Sequence, residues 1–219
     1  MVKAVLFDVD GTLVDSNDAH AAAWVKAFSS FGIAVDPGKV RRSIGMGGDK
    51  LMPAVSGIAE DSDQGSKIGE RRSAIFKAEF LPNLKAFRGA DRLVAAVKDR
   101  GLTAVAASSA KQDELKALLK IAGAGWLMDA ATSSDDAEES KPDPDIIVAA
   151  LRRAHATAAQ AVMIGDTPYD VEAASRAGVR AIGFRCGGWQ DADLRGAIAI
   201  YDVPWDLLAN IDESPLGGA

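Results

Sequence analysis

Apolar residues recur along this chain with two different periods, and the places where the period changes outline its organisation. Val5 to Phe7 is a short apolar run that stops at the turn signal Asp-Gly-Thr, as a buried parallel strand does. The spacing then becomes helical. Ala21, Trp24, Val25, Phe28 and Phe31 recur at three and four residues, Asn17 or Asp18 is placed to cap the helix, and Gly32 stops it. Helical stretches follow around Val40 to Ile44, over Lys50 to Val55 with an interruption at Pro53, and over Gln64 to Phe80 with Ile68, Ile75 and Phe80 on its apolar side. No convincing strand occurs in this segment.

From about Phe87 strands and helices alternate. Helices are expected over Asp91–Arg100, Gln112–Ala122, Asp145–Ala154, Tyr169–Ala177 and Trp205–Asn210. Strands are expected over Leu102–Ala107, Met128–Thr132, Val162–Gly165, Val179–Phe184 and Ile198–Tyr201. Such alternation implies right-handed crossovers and a parallel sheet covered on both faces. The first strand must join that sheet, because one strand beside a helical bundle leaves its backbone groups unpaired. The expected fold is therefore α/β, a Rossmann-like parallel sheet with an all-helical insertion. Residues 1–14 and 88–219 form the core, and residues 15–87 the insertion.

Composition narrows the class. With 48% hydrophobic residues in 219, the chain can bury a large core. A net charge of -6 argues against a nucleic-acid surface. The single Cys186 excludes an intramolecular disulfide and a cysteine zinc cluster, and it reads as a small buried residue. The N-terminal run has one lysine and is broken by Asp8, so neither a signal peptide nor a membrane span is expected. A cytoplasmic protein without membrane partners, monomeric or a small homo-oligomer, is the expectation. The SPLGGA tail reads as loose.

The chemistry lies where strands end, since open parallel sheets bind ligands at their carboxyl edge. The first strand ends in Asp8 and Asp10, and the second in Ser108 and Ser109. The strand containing Met163 and Ile164 ends in Gly165-Asp166, with Asp170 four residues later, and Lys141 lies in the loop before it. Carboxylates without histidine or thiolate suit a hard divalent cation such as Mg²⁺, which prefers one or two carboxylates plus phosphate oxygens. A calcium-loop register fails: with Gly11 at the loop glycine, Leu6 falls at the first ligand position and Asn17 at the last.

The segments DVDGT, Ser108 at a strand end, Lys141 before a proline and GDTPYD stand in the order found in the haloacid dehalogenase superfamily, which the chain resembles over nearly its whole length. The resemblance implies that Asp8 attacks phosphorus to form an aspartyl phosphate and that Asp10 is the acid and then the base. It also implies that Asp8, the backbone carbonyl of Asp10 and Asp166 hold Mg²⁺. Asp170 would be an outer or alternative ligand, with its place in the first turn of a helix as the plainer reading. Ser108, Ser109 and Lys141 would bind the transferring phosphoryl group.

Asp10 separates phosphoryl transfer from carbon–halogen cleavage within that superfamily, because halide needs no proton. The resemblance extends to phosphoglycolate phosphatase and β-phosphoglucomutase, and a phosphatase of a small phosphorylated metabolite is the first reading. The mutase pattern carries an arginine where Gly48 stands here, and Lys50 can replace it only as a point charge. Gly45 to Lys50 is the candidate substrate-reading loop; its other reading is a plain connector. His20, just beyond the catalytic turn, is a binding candidate, although a helix-surface residue is the simpler expectation. His155 is expected to be exposed and inert. Trp24, Phe28 and Phe31 read as packing within the insertion. A non-catalytic binding protein of the same fold is the remaining alternative.

Overall fold

A computed structural model describes residues 1–217. Strands β1 (Ala4–Phe7), β2 (Thr103–Ala107), β3 (Ala130–Thr132), β4 (Ala161–Gly165), β5 (Arg180–Phe184) and β6 (Ala199–Tyr201) form one sheet in the order β3-β2-β1-β4-β5-β6. Every pairing is parallel. Alternation along β1 divides the interior. Val5 and Phe7 face one apolar cluster and Ala4 and Leu6 another, so both faces are covered at the centre, where β1 and β4 are wholly buried. Helices α5 (Ala90–Asp99), α6 (Gln112–Ile121) and α9 (Pro204–Ala209) contribute apolar residues to the first cluster. Helices α7 (Asp145–Arg153) and α8 (Pro168–Arg176) contribute to the second.

Between β1 and β2 lie α1 (Asn17–Ser30), α2 (Pro37–Arg42), α3 (Gly48–Ser56) and α4 (Asp63–Ile75), the last continuing into a π turn at Phe76–Phe80. This segment contains no strand among the described residues. Its two ends run side by side. The Asp15 amide donates to the Lys85 carbonyl at 3.0 Å and the Phe87 amide to the Leu13 carbonyl at 2.9 Å, which brings the entry and exit of the helical segment together.

Several local expectations change. Helix α1 ends at Ser30, where Gly32 takes a φ of +72°, so Phe31 falls beyond the helix and is exposed rather than packed. Pro53 does not interrupt α3, which runs through it from Gly48 to Ser56. Leu216 in the tail is fully buried in the first apolar cluster, so the tail up to that residue is packed and not loose; residues 218 and 219 lie outside the described residues. His155 is exposed, at a φ of +49°. No helix among the described residues is long and apolar enough to cross a membrane.

Candidate active site

Register alone assembles the first part of the site. Phe7 pairs with Ala106 on one side and Ile164 on the other, so the residues that follow the three central strands emerge side by side. They are Asp8, Ser108 and Asp166. The Asp8 amide still belongs to the sheet, donating to the Ile164 carbonyl at 2.8 Å. The Asp8 side chain is fixed by a backbone that is already paired.

Asp8, Asp166 and Asp170 are all buried, and oxygens from the three carboxylates lie within 4.8 Å of one another. One cation reaches them from the protein. The Lys141 ammonium sits 2.6 Å from Asp8 Oδ1 and 2.8 Å from Asp170 Oδ1, and donates to the Ala107 carbonyl at 2.8 Å. Thr12 donates its hydroxyl to Asp166 Oδ1 at 2.8 Å, and the Asn17 amide donates to Asp166 Oδ2 at 2.8 Å. Asp170 Oδ2 accepts from the Thr167 amide and hydroxyl, closing a capping box at the start of α8. Asp170 therefore both starts a helix and joins the carboxylate cluster.

Three carboxylates against one ammonium leave negative charge without a counter-ion in a dry site. Burial pushes the Asp8 carboxyl well above its ordinary value. Lys141 pulls it back, and the charges of Asp170, Asp166 and Asp10 push it further up. Burial and the Asp170 charge raise Asp166 to about 7 against its bonds from Thr12 and Asn17. Burial would lower the Lys141 ammonium, but Asp170 and Asp8 raise it and hold it charged. A ligand set of oxygens with surplus negative charge fits a hard divalent cation.

Two glycines make room for Asp166. Gly11 adopts a φ of +74°, and a methyl group there would collide with the Asn17 amide and the Asp166 carboxylate. A methyl group at Gly187 would overlap the same carboxylate. Cys186 beside it directs its thiol at the Gly11 carbonyl, 3.2 Å away, and burial pushes that thiol up.

Asp10 is turned away from this cluster. Its Oδ1 accepts from the Ser16 hydroxyl at 2.5 Å and meets His20 Nε2 at 2.7 Å. His20 is buried, not on the helix surface, and stacks on Phe76 with ring centroids 4.0 Å apart. Behind it, Arg72 Nη2 lies 2.5 Å from His20 Nδ1. A guanidinium has no acceptor, so Nδ1 must accept, and Nε2 carries the hydrogen donated to Asp10. Burial would raise Asp10, but the hydrogen bonds from His20 and the Ser16 hydroxyl and the Arg72 charge hold it below its ordinary value. Ser16 thus serves Asp10 and Asn17 serves Asp166; neither side chain caps α1.

Arg72 and Glu114 join the site without any mark in the sequence. Glu114, in α6 of the sheet domain, is almost wholly buried, and accepts from Arg72 Nη1 at 2.7 Å and from the Ser73 hydroxyl at 2.6 Å. Arg72 also lies over Trp24 and Phe76. An arginine inside an otherwise ordinary helical pattern is no signal by itself.

Sheet edge and helices enclose a cavity of about 390 Å³. Asp8, Asp10, His20, Ser108, Ser109 and Gly48 all line it, and the Ser109 hydroxyl is buried without a partner among the described residues. The structure does not bring Lys50 there. It is held by Glu139 and by Asp143, the latter at 3.1 Å, and these pairs raise its ammonium. The glycine-rich stretch before it is tied to the core as well, the Gly47 amide donating to the Ser140 hydroxyl at 3.0 Å.

Residues 5–184 match the family model for haloacid dehalogenase-like hydrolases, and the chain belongs to that family. It is 33% identical over 213 residues to a phosphoglycolate phosphatase from Rhodospirillum rubrum, covering 92% of this chain and 88% of the relative. A hydrolase from Pseudomonas syringae superposes with a TM-score of 0.90 at 29% identity, over 96% of this chain and 98% of that one. A β-phosphoglucomutase from Clostridium difficile shares the fold at a TM-score of 0.80 and 18% identity, over 97% and 96% of the two chains.

Proposed function

We propose that the protein is a Mg²⁺-dependent phosphatase of a small phosphorylated metabolite, acting through an aspartyl phosphate on Asp8. The observation that carries this reading is the separation of two carboxylates two residues apart. Asp8 faces Lys141 and the carboxylate cluster, while Asp10 faces His20 at 2.7 Å, both on one cavity wall. In this reading Asp8 is the attacking group and Asp10 transfers the proton. The names of the phosphatase relatives support the same reaction class.

Asp8, the Asp10 backbone carbonyl and Asp166 would hold the cation, with Asp170 beside them; when bound, it neutralises charge on the phosphoryl oxygens. In the first half-reaction an Asp8 oxygen bonds to phosphorus, the bond to the leaving oxygen breaks, and Asp10, which His20, Ser16 and Arg72 favour as the carboxylate in the free protein, takes up the proton of the phosphomonoester monoanion and passes it to that oxygen. In the second, Asp10 takes a proton from water, whose oxygen bonds to phosphorus as the Asp8–phosphorus bond breaks. Inorganic phosphate leaves and Asp8 is restored. Lys141, Ser108 and Ser109 stabilise charge on the phosphoryl group. Residues 15–87 act as a cap over the core of residues 1–14 and 88–219, excluding water and reading the leaving group.

A mutase must hold a second phosphate. Gly48 offers no fork for it and Lys50 is engaged elsewhere, so that reading gains no support. Phosphate release from a panel of phosphomonoesters with Mg²⁺ tests the proposal. Asp8→Asn should reduce turnover by about 10⁴-fold or more while circular dichroism stays native. Wild-type turnover by that variant ends the covalent mechanism, and full turnover in excess chelator ends the metal's part in it.

A further inference from the structure

The cavity extends from the phosphoryl end to a second wall made by the cap loop, α3 and the turn at Glu60. Asp49, Glu60 and Glu138 line that wall, with Lys111 as its cation. The other basic side chains nearby are already paired: Arg72 with Glu114 at 2.7 Å, and Lys50 with Glu139 and Asp143. Asp49 is engaged too, accepting from the Ser140 amide at 3.2 Å and from its hydroxyl. Glu60 differs from all of these. Its backbone carbonyl accepts from the Ser66 hydroxyl, but its carboxylate has no hydrogen-bond or ion-pair partner among the described residues, although it is only partly exposed.

Gly48 explains how Glu60 comes to stand there. A Cβ at position 48 would lie 2.5 Å from Glu60 Oε1, so the missing side chain makes room for the carboxylate against the start of α3. The position where a mutase would present a cation is here made small for an anion. Burial and the Asp49 charge raise the Glu60 carboxyl against the pull of Lys111 and Arg72.

Resting on the phosphatase reading above, we propose that Glu60, set in place by Gly48, is a specificity-determining acceptor for hydroxyl or ammonium groups of the leaving group. The substrate is then a monophosphate whose remainder is polyhydroxylated or amino-bearing, without a second anion. A carboxylate or second phosphate at this wall would meet Glu60, Asp49 and Glu138 against Lys111 and an Arg72 already paired with Glu114. Like charges brought together in a partly enclosed site discriminate strongly against the wrong ligand.

Three six-carbon monophosphates test this, differing in charge away from the phosphate: glucosamine 6-phosphate, glucitol 6-phosphate and 6-phosphogluconate. Binding is measured calorimetrically on Asp8→Asn with Mg²⁺, and turnover on the wild type. The amino and neutral esters should bind at least about 10-fold more tightly than the carboxylated one, and Glu60→Gln, checked for native circular dichroism, should bring the three together. Equal binding of all three, or an unchanged ranking in Glu60→Gln, overturns the assignment. If the ranking holds but no phosphomonoester is hydrolysed, the specificity stands and the phosphatase reading falls. If an aryl phosphate is hydrolysed while the ranking is flat, the reverse follows.

Discussion

The two walls of the cavity are built on opposite principles. At the sheet edge, Asp8 lines the cavity with Asp166, Asp170 and Lys141 buried behind it, and each is held by at least one partner within 3.0 Å. At the helical wall, the Glu60 carboxylate lacks a partner among the described residues, Lys111 is exposed, and Lys50 looks outward to the surface. Common chemistry needs fixed groups, because misplaced charge in a low-dielectric site loses its effect steeply. Recognition of a leaving group needs groups whose hydrogen-bonding capacity is still free. Between the walls stands the Arg72–Glu114 pair, buried like the first and joining the helices to the sheet domain.

This contrast can be broken at graded cost. Lys141→Met removes the one cation inside the carboxylate cluster, and such a loss from a buried ion pair costs about 3–5 kcal/mol. Urea denaturation should show that loss, and excess Mg²⁺ should restore part of it, whereas an unchanged midpoint would mean that the charges are solvated. Gly187→Ala forces Asp166 to move and should cost about 1–3 kcal/mol by overpacking. The same displacement should weaken Mg²⁺ binding by roughly 10–100-fold, read by calorimetry. Unaltered affinity would detach Asp166 from the metal.

Arg72→Ala, Glu114→Ala and the double variant form a cycle across the junction of α4 and α6. Their coupling should be about 0.5–3 kcal/mol in thermal or chemical unfolding. Additive losses would show that the helices are held to the core by other contacts. Lys50→Ala is expected to do least. It removes partly exposed ion pairs, so stability should change by less than about 1 kcal/mol, and relative kcat/KM among phosphomonoesters should not change. A reordered substrate ranking in that variant would return Lys50 to the cavity.

The sheet-edge wall is legible in the amino-acid sequence because its information is local. DVDGT, the strand-end serines and GDTPYD each place their polar residues within a few positions of an apolar strand, and parallel register then aligns the strand ends. The helical wall carries no such signal. His20 lies 52 positions from Arg72, and Arg72 lies 42 from Glu114, so no helical or strand period relates them. Their side chains meet only because α1 and α4 pack together and Arg72 and Ser73 of α4 reach Glu114 of α6. Lys50 shows the converse, since helix position alone does not say whether Glu139 or a substrate lies within its reach.

The sequence by itself therefore determined the alternation of strands and helices, the inserted helical segment and the carboxylates that gather at the sheet edge. Each follows from periodicity or from short-range turn chemistry. Tertiary structure alone decided that His20 is buried against Asp10, that Arg72 bridges it to Glu114, and that Gly48 yields its space to Glu60. Such pairings depend on how far helices approach and at what angle they cross. Packing sets those quantities through many weak contacts, none of which is written in any one stretch of the chain.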